Sequence, residues 1–384
     1  MGAPHRRHGR ADVRVTPVDI EQTYRGRRVL VTGHTGFKGS WLTAWLRSLG
    51  ASVVGYALEP DTEPSVFHLL GLSKDCEDLR ADVRDFDRLR DVVDRTQADY
   101  IFHLAAQPLV RQSYVEPLET VSTNVMGTAN LLEAVRVTRH PVAVVVVTSD
   151  KCYENAGLDR PLDEADPMGG HDVYSMSKGA TELVVSSYRR SFFPPSRIEK
   201  HRVTIASARA GNVIGGGDWA RDRIVPDAIR ALTTGEPIPV RNPDATRPWQ
   251  HVLEPLSGYL LLGARLAQGT ADERGRFCEG WNFGPEPADT RPVRGVVDAI
   301  LRNWGGGTWQ DRSDASAPHE APMLRLAIAK AEKSLGWRPR WGFDETLRRT
   351  VAWYRAHHEG ARPEDLRALT ESQITEYMND PSQA

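Results

Sequence analysis

Tyr174 and Lys178 stand four residues apart in Tyr174-Ser-Met-Ser-Lys178, the spacing that puts two side chains on one helix face a turn apart. A phenol with a free pKa of about 10 is a poor base at neutral pH, and a nearby ammonium stabilises its phenolate. Thr148-Ser-Asp-Lys151 adds a hydroxyl, a carboxylate and an amine in succession. Read together with the glycine turn Gly33-His-Thr-Gly36-Phe-Lys-Gly39, the two segments describe a redox site that can also eliminate water. Tyr-x-x-x-Lys alone is common on solvated helix faces, so its weight comes from partners elsewhere in the chain.

The first partner is a glycine turn. Val29-Leu-Val-Thr32 reads as a short buried strand, and Ser40 to Leu49 has the apolar period of a helix. Gly33, Gly36 and Gly39 lie between them, permitting a tight turn and close backbone approach to a pyrophosphate at the helix N-terminus. The spacing is Gly-x-x-Gly-x-x-Gly, one residue longer in its first step than the usual dinucleotide fingerprint.

The elements that must position these groups are set by the rest of the chain. At 384 residues the protein exceeds the usual single-domain range. Short Val/Ile-rich runs alternate with amphipathic stretches from Arg27 onward, as in a doubly wound parallel sheet. Strands are expected near 28–32, 52–56, 78–82, 100–105, 142–148, 203–208 and 280–283. Right-handed crossovers then bring the glycine turn and Thr148–Lys151 to one carboxyl edge.

This α/β reading divides the chain into three parts. Residues 1–25, polar and including His5, Arg6, Arg7 and His8, read as a flexible tail. Residues 26–211 read as a Rossmann-type nucleotide-binding domain to which later segments return. Residues 212–384 read mainly as a smaller C-terminal substrate-binding lobe, opened by Gly215-Gly-Gly-Asp218 and the polar run Arg241 to Gln250.

A net charge of -2 gives no electrostatic argument for nucleic acid or an anionic membrane. Cys76, Cys152 and Cys278 lie far apart and match no metal-ligand spacing, so no metal is expected. No apolar run reaches a membrane span, and the first residues lack the hydrophobic core of a secretion signal. A reduced, cytoplasmic protein is the expectation.

Several long passages carry a resemblance: Val31-Thr-Gly-His-Thr-Gly-Phe-Lys-Gly-Ser-Trp41, His103-Leu-Ala-Ala-Gln-Pro-Leu-Val110, Thr148 to Asn155, Ala208 to Trp219, and Arg247 to Pro255. In these the chain resembles the nucleotide-sugar 4,6-dehydratases of the extended short-chain dehydrogenase/reductase family, over about Arg27 to Trp353. The resemblance implies NAD as a temporary hydride store. It implies Tyr174, with Lys178 and Ser149, as the base at the sugar 4-hydroxyl, and Asp150 as the acid for the departing 6-hydroxyl.

Lys151 stands where many such enzymes carry a glutamate base. That substitution resembles the branch acting on CDP-glucose, which makes CDP-glucose the expected partner and CDP-4-keto-6-deoxyglucose the expected product. A lysine with a free pKa near 10.4 must be desolvated or crowded by positive charge to act as a base, so Lys151 reads either as the C5 base or as a group that orients the sugar.

By the same carry-over Gly33, Gly36, Phe37 and Gly39 border the pyrophosphate, Asp82 and Val83 flank adenine, and Ala105, Tyr174 and Lys178 contact the cofactor. Glu59 is the ribose candidate, and the absence of arginine from 55–64 favours NAD over NADP. Asn212, Arg247 and His251 are the substrate candidates, with Trp219 and Trp249 near base or sugar or simply in the core. Asn124 matches an asparagine that steadies the helix bearing the site. Helices near 117–137 and 173–192 are the expected homodimer face. The competing readings are a 4-epimerase, a dehydratase for another nucleotide sugar, and a non-catalytic NAD-binding sensor.

Overall fold

The computed structural model describes residues 18–154, 160–313 and 324–380. Seven strands form one sheet: β1 (Arg28–Thr32), β2 (Ser52–Ala57), β3 (Glu77–Arg80), β4 (Tyr100–His103), β5 (Val142–Val147), β6 (Val203–Arg209) and β7 (Gly280–Asn282). Each lies within two residues of the segment expected from the sequence. Their lateral order is β7-β6-β5-β4-β1-β2-β3, and every pairing is parallel.

The central strands β1, β4 and β5 are largely apolar because both faces are covered, whereas the edge strand β3 is Glu77-Asp-Leu-Arg80 and only partly buried. In β5 the period of two divides one valine-rich run between two cores. Val142, Val144 and Val146 enter one, and Ala143, Val145 and Val147 enter the other. Helices α1 (Ile20–Tyr24), α2 (Phe37–Ser48), α3 (Phe86–Thr96), α4 (Gly127–Thr138), α5 (Val173–Ser191) and α6 (Leu253–Ala267) flank the sheet. Leu89 of α3, Leu131 of α4 and Val185 of α5 pack into the first core, while Trp41 of α2 and Leu256 of α6 pack into the second.

The strand order reverses between β1 and β4, which opens a crevice at their carboxyl ends where ligands bind in such sheets. Segments after residue 212 both rejoin the sheet, through α6 and β7, and build short ladders such as Thr246–Pro248 with Thr290–Pro292. Helices α7 (Phe343–His358) and α8 (Pro363–Met378) close the fold.

One expectation is corrected. A flexible tail reaching residue 25 does not fit α1, whose first turn is capped by Asp19 Oδ1 accepting from the Gln22 amide at 2.9 Å. Tyr24 is buried, donates to the Leu260 carbonyl at 2.7 Å and packs on Tyr100 and Phe102. One aromatic at the end of a polar run is enough to draw this segment onto the domain. His5 to His8 lie outside the described residues.

Candidate active site

A cleft of about 570 Å³ opens at the carboxyl ends of β1, β4 and β5, and its far wall is built from residues after 210. The glycine turn forms its floor. Gly33 has φ +76°, and a Cβ there would lie 2.6 Å from the Ala105 backbone nitrogen. A Cβ on Gly39 would lie 2.0 Å from the Gly33 carbonyl oxygen. Both positions therefore exclude side chains, which lets the turn pass under the exit of β4.

Gly36 is different. It is the N-cap of α2, and a Cβ there would meet only the Gly33 oxygen, at 3.5 Å. The first amides of α2 are thus left facing the cleft without a side-chain cap, a donor set that suits a pyrophosphate. Phe37, Asp82, Val83 and Ala105 also line the cleft. The Arg84 guanidinium beside Asp82 holds that carboxyl below its usual range.

His34, the second residue of the turn, points away from the cleft into the protein. Its Nε2 lies 2.8 Å from Asp78 Oδ1, its ring meets Phe67 edge-on, and a Cβ on Gly55 would lie 2.3 Å from its Cδ2. Burial lowers its pKa.

The acid-base groups come from two elements. Thr148 leaves β5 and the chain makes a single tight turn, Asp150–Cys152, in which the Ser149 hydroxyl accepts from the Lys151 amide at 3.2 Å. Ser149 Oγ also donates to Asp150 Oδ1 at 2.9 Å. Asp150 is buried, and its other oxygen lies 3.5 Å from the Asn212 amide nitrogen.

Tyr174 and Lys178 face this turn from the first two turns of α5, whose start is capped by Asp172 Oδ1 accepting from the Ser175 amide at 2.9 Å. Burial pushes the Tyr174 phenol up to about 12, opposed by the Ser149 hydroxyl beside it. Burial lowers Lys178 to about 8, against the pull of Cys152 and Glu182. Asn124 steadies this helix by donating to Ser177 Oγ at 2.8 Å and accepting from the Gln107 amide at 2.8 Å.

Ser149, Asp150, Lys151, Tyr174, Lys178, Asn212 and Arg247 all line the one cleft. His251 does not, and its expected substrate contact is corrected. It sits on the two-residue strand Gln250–His251 with its ring turned into the core, edge-on to Trp41 and Trp341, and its Nδ1 accepts from the Leu253 amide at 3.3 Å. Trp249 and Trp219 reach the cleft but are mostly core, the first donating to the Arg291 carbonyl at 3.1 Å and the second packing on Tyr354 and His357.

Three features escaped sequence reasoning. Lys38, inside the glycine turn, faces the cleft, and burial and Arg223 lower it to about 8 against the pull of Asp150. Arg223 donates to Asp218 at 2.8 Å on the opposite wall. Arg80, from well beyond residues 55–64, brings its Nε within 3.5 Å of Glu59. The position of Lys38 between Phe37 and Gly39 is itself a signal, but nothing local points to the other two.

A family model described as GDP-mannose 4,6 dehydratase matches residues 30–350. The CDP-glucose 4,6-dehydratase of Salmonella typhimurium is 49% identical over 356 residues, 93% of this chain and 97% of that one. The dTDP-glucose 4,6-dehydratase of Streptomyces antibioticus is 29% identical, covering 85% of this chain and 92% of its own. The solved dTDP-glucose 4,6-dehydratase of Bacillus anthracis in complex with NAD shares the fold at a TM-score of 0.70 and 20% identity, over 86% of this chain and 97% of that one. The UDP-glucose 4-epimerase of Thermus thermophilus complexed with NAD does so at 0.72 and 23%, over 87% and 99%.

Proposed function

The chain belongs to the GDP-mannose 4,6 dehydratase family, and from that premise we propose that it converts CDP-glucose to CDP-4-keto-6-deoxyglucose with NAD held in the cleft. The observation that carries the reading is the convergence of Ser149, Asp150, Lys151, Tyr174 and Lys178 in one cleft. Simple epimerisation needs no acid at the 6-hydroxyl, whereas Asp150 supplies one. The near-half identity with the Salmonella enzyme supports cytidine over other bases.

The bare amides of α2 after Gly36, with Gly33, Phe37 and Gly39, would hold the pyrophosphate of NAD, and Asp82, Val83 and Ala105 its adenine and ribose side. When bound, NAD supplies the hydride acceptor for C4 and the hydride donor for C6. Tyr174 takes the 4-hydroxyl proton. Lys178, one turn on, supplies the positive charge that a phenolate in this buried site requires. Once C4 is a ketone the C5 proton is acidic. Lys151 removes it while Asp150 protonates the leaving 6-hydroxyl, so that water departs. The Lys151 proton would return to C5 as C6 accepts hydride, and the proton that Tyr174 took from the 4-hydroxyl would restore the acid form of Asp150, which closes the proton count. Asn212 and Arg247 bind the sugar nucleotide, the arginine offering a planar fork to the diphosphate. On this reading residues 26–211 hold mainly the dinucleotide and residues 212–384 mainly the sugar nucleotide.

The protein acts as a homodimer. Leu118, Val115 and Leu183 are 84%, 73% and 63% exposed, and Met126, Met176 and Phe192 join them on the outer faces of residues 110–126 and of α5. Met176 and Leu183 are seven residues apart, two helical turns on one side. An apolar surface of this kind marks a protein contact. Three free cysteines suit a reducing cytoplasm. Among the described residues no helix is long and apolar enough to cross a membrane.

The deciding experiment offers CDP-, dTDP-, UDP- and GDP-glucose with catalytic NAD and follows water loss by mass spectrometry. Selective loss from the CDP sugar without net NADH is the expected result. Loss from another sugar alone overturns the cytidine assignment, and inversion at C4 without water loss makes the protein an epimerase.

A further inference from the structure

Below the acid-base turn lies an ion pair that no step of the proposed reaction uses. Glu182 is on α5, one turn beyond Lys178, and Arg209 ends β6; their side chains are 5% and 6% exposed and meet at 2.8 Å. Glu182 Oε1 accepts from Thr148 Oγ1 at 2.6 Å, and Oε2 accepts from Ser207 Oγ at 2.6 Å as well as from Arg209. Arg209 donates through its other terminal nitrogen to the Tyr153 hydroxyl at 2.5 Å, and Tyr153 in turn donates to Asn282 Oδ1 on β7 at 2.7 Å.

Thr148 and Tyr153 are the residues on either side of Ser149–Cys152. The turn that carries Ser149, Asp150 and Lys151 is thus held at both ends by one ion pair, and one member of that pair is on the helix that carries Tyr174 and Lys178. We infer that Glu182 and Arg209 are positioning residues, a clamp fixing the Ser149–Lys151 turn against the Tyr174–Lys178 helix face. The inference rests on the dehydratase reading for what the turn does, and on the geometry alone for the clamp itself.

The fold accommodates the clamp at a cost. Two buried charges are expensive to desolvate, and well-packed apolar residues of similar volume often serve stability as well or better. Room for the guanidinium comes from Gly280, where a Cβ would lie 2.3 Å from an Arg209 terminal nitrogen. What an apolar pair could not do is give directional hydrogen bonds to both ends of the turn. Registering two catalytic segments is a task for such bonds, because a misplacement of about 1 Å can reduce turnover on the order of a hundredfold.

The clamp matters most between the two halves of the reaction. Tyr174 and Lys178, helped by Ser149, serve oxidation at C4, whereas Asp150 and Lys151 serve elimination. If the turn slides relative to the helix, oxidation loses one helper but keeps its base and cation, while elimination loses the placement of both its groups, so oxidised sugar builds up.

The test compares Thr148→Val and Tyr153→Phe, which each release one end of the turn and leave the ion pair intact, with Glu182→Gln. The full-length protein is assayed with NAD and CDP-glucose. We expect kcat to fall roughly tenfold to a hundredfold with KM and NAD affinity within twofold of wild type. Reduced cofactor, read at its near-ultraviolet absorbance, should accumulate during turnover in the variants and not in wild type. A folded Thr148→Val, Tyr153→Phe double variant with wild-type kcat overturns the clamp. So does a parallel loss of kcat, KM and NAD affinity without accumulated reduced cofactor, which is the pattern of general loosening. If Glu182→Gln does not fold, the Thr148 and Tyr153 variants decide alone. Crystal structures of those two variants read the clamp independently of substrate: an unmoved Ser149–Cys152 turn refutes it, whereas a wild type that dehydrates no sugar nucleotide refutes only the functional reading.

Discussion

Gly211 is the residue against which Asp150 rests: a Cβ at position 211 would lie 2.0 Å from the Asp150 carboxyl carbon. No side chain fits there while Asp150 keeps its place between Ser149 and Asn212. Replacing Gly211 with alanine should therefore push the carboxylate off the position from which, in the proposed mechanism, it protonates the leaving hydroxyl. The expected loss in kcat is about 10² to 10⁴, the range for a displaced general acid, and Asp150→Asn should match it. Wild-type turnover by Gly211→Ala would show that Asp150 needs no fixed position.

Lys151 lines the cleft on the same turn. As the C5 base it should be dispensable for oxidation at C4 and required for the elimination. Lys151→Met is expected to reduce NAD in a single turnover on CDP-glucose, to release no water, and to exchange no solvent deuterium into C5. Deuterium exchange at the wild-type rate would reassign Lys151 to holding the sugar.

Acid stability should be governed by buried groups whose protonation changes on unfolding. Burial lowers His251 to about 3 and His103 to about 3, from 6.5. Above pH 6.5 neither state binds these protons. Below it the unfolded chain binds them and the folded chain does not, so stability falls by about 1.4 kcal/mol per pH unit for each histidine. Glu254 opposes this. Burial raises it from 4.5 to about 7, so between those values the folded chain holds a proton that the unfolded chain has lost, and stability grows as pH falls.

Denaturant titrations between pH 5 and 6.5 separate the two contributions. His251→Phe should flatten the slope of stability against pH by about one proton. Glu254→Gln should steepen it by about one. Slopes equal to wild type in both variants would place the acid sensitivity elsewhere.

Glu59 lines the cleft with its Oε1 3.5 Å from Arg80 Nε, beside Asp82 and Val83, the proposed adenine neighbours. A carboxylate there would accept from a ribose hydroxyl and repel a 2'-phosphate, and its removal would leave Arg80 still held by Asp78 at 2.9 Å. Glu59→Ala should weaken NAD about tenfold and narrow the preference over NADP, measured by equilibrium titration of both. An unchanged ratio of the two affinities would remove Glu59 from ribose recognition.

Leu118→Glu together with Leu183→Glu should convert a dimer into monomers in sedimentation equilibrium, since two charges would enter an apolar contact. A persistent dimer would move the interface to another face.

Legibility in the sequence tracks how local each signal is. The seven strands were legible because a valine-rich run such as Val142–Val147 carries its own period, and the glycine turn because strand, turn and helix adjoin in the chain. Tyr174 and Lys178 were legible because the α-helix itself sets their relation. His251 was misread because its direction depends on a two-residue strand, where a shift by one position would send the ring to the opposite face. Gly211 and Arg80 were invisible for a related reason, since each acts on a residue far away in the chain, Asp150 and Glu59. The tail boundary moved because Tyr24 finds its partners, Leu260, Tyr100 and Phe102, across the fold.

The inward turn of His34 makes the nucleotide loop a poor candidate for exchange between relatives. Its ring fills the space that Gly55 leaves open and bonds to Asp78 on a third strand. A chimera carrying this loop into a scaffold with a side chain at position 55 would begin with a clash, and one bringing a smaller residue to position 34 would leave a hole and Asp78 Oδ1 without its partner, Oδ2 staying with Arg80 at 2.9 Å. Residues 34, 55 and 78 therefore form a unit of inheritance that crosses three strands, and recombination that respects it should keep the loop's shape where loop grafting alone would lose it.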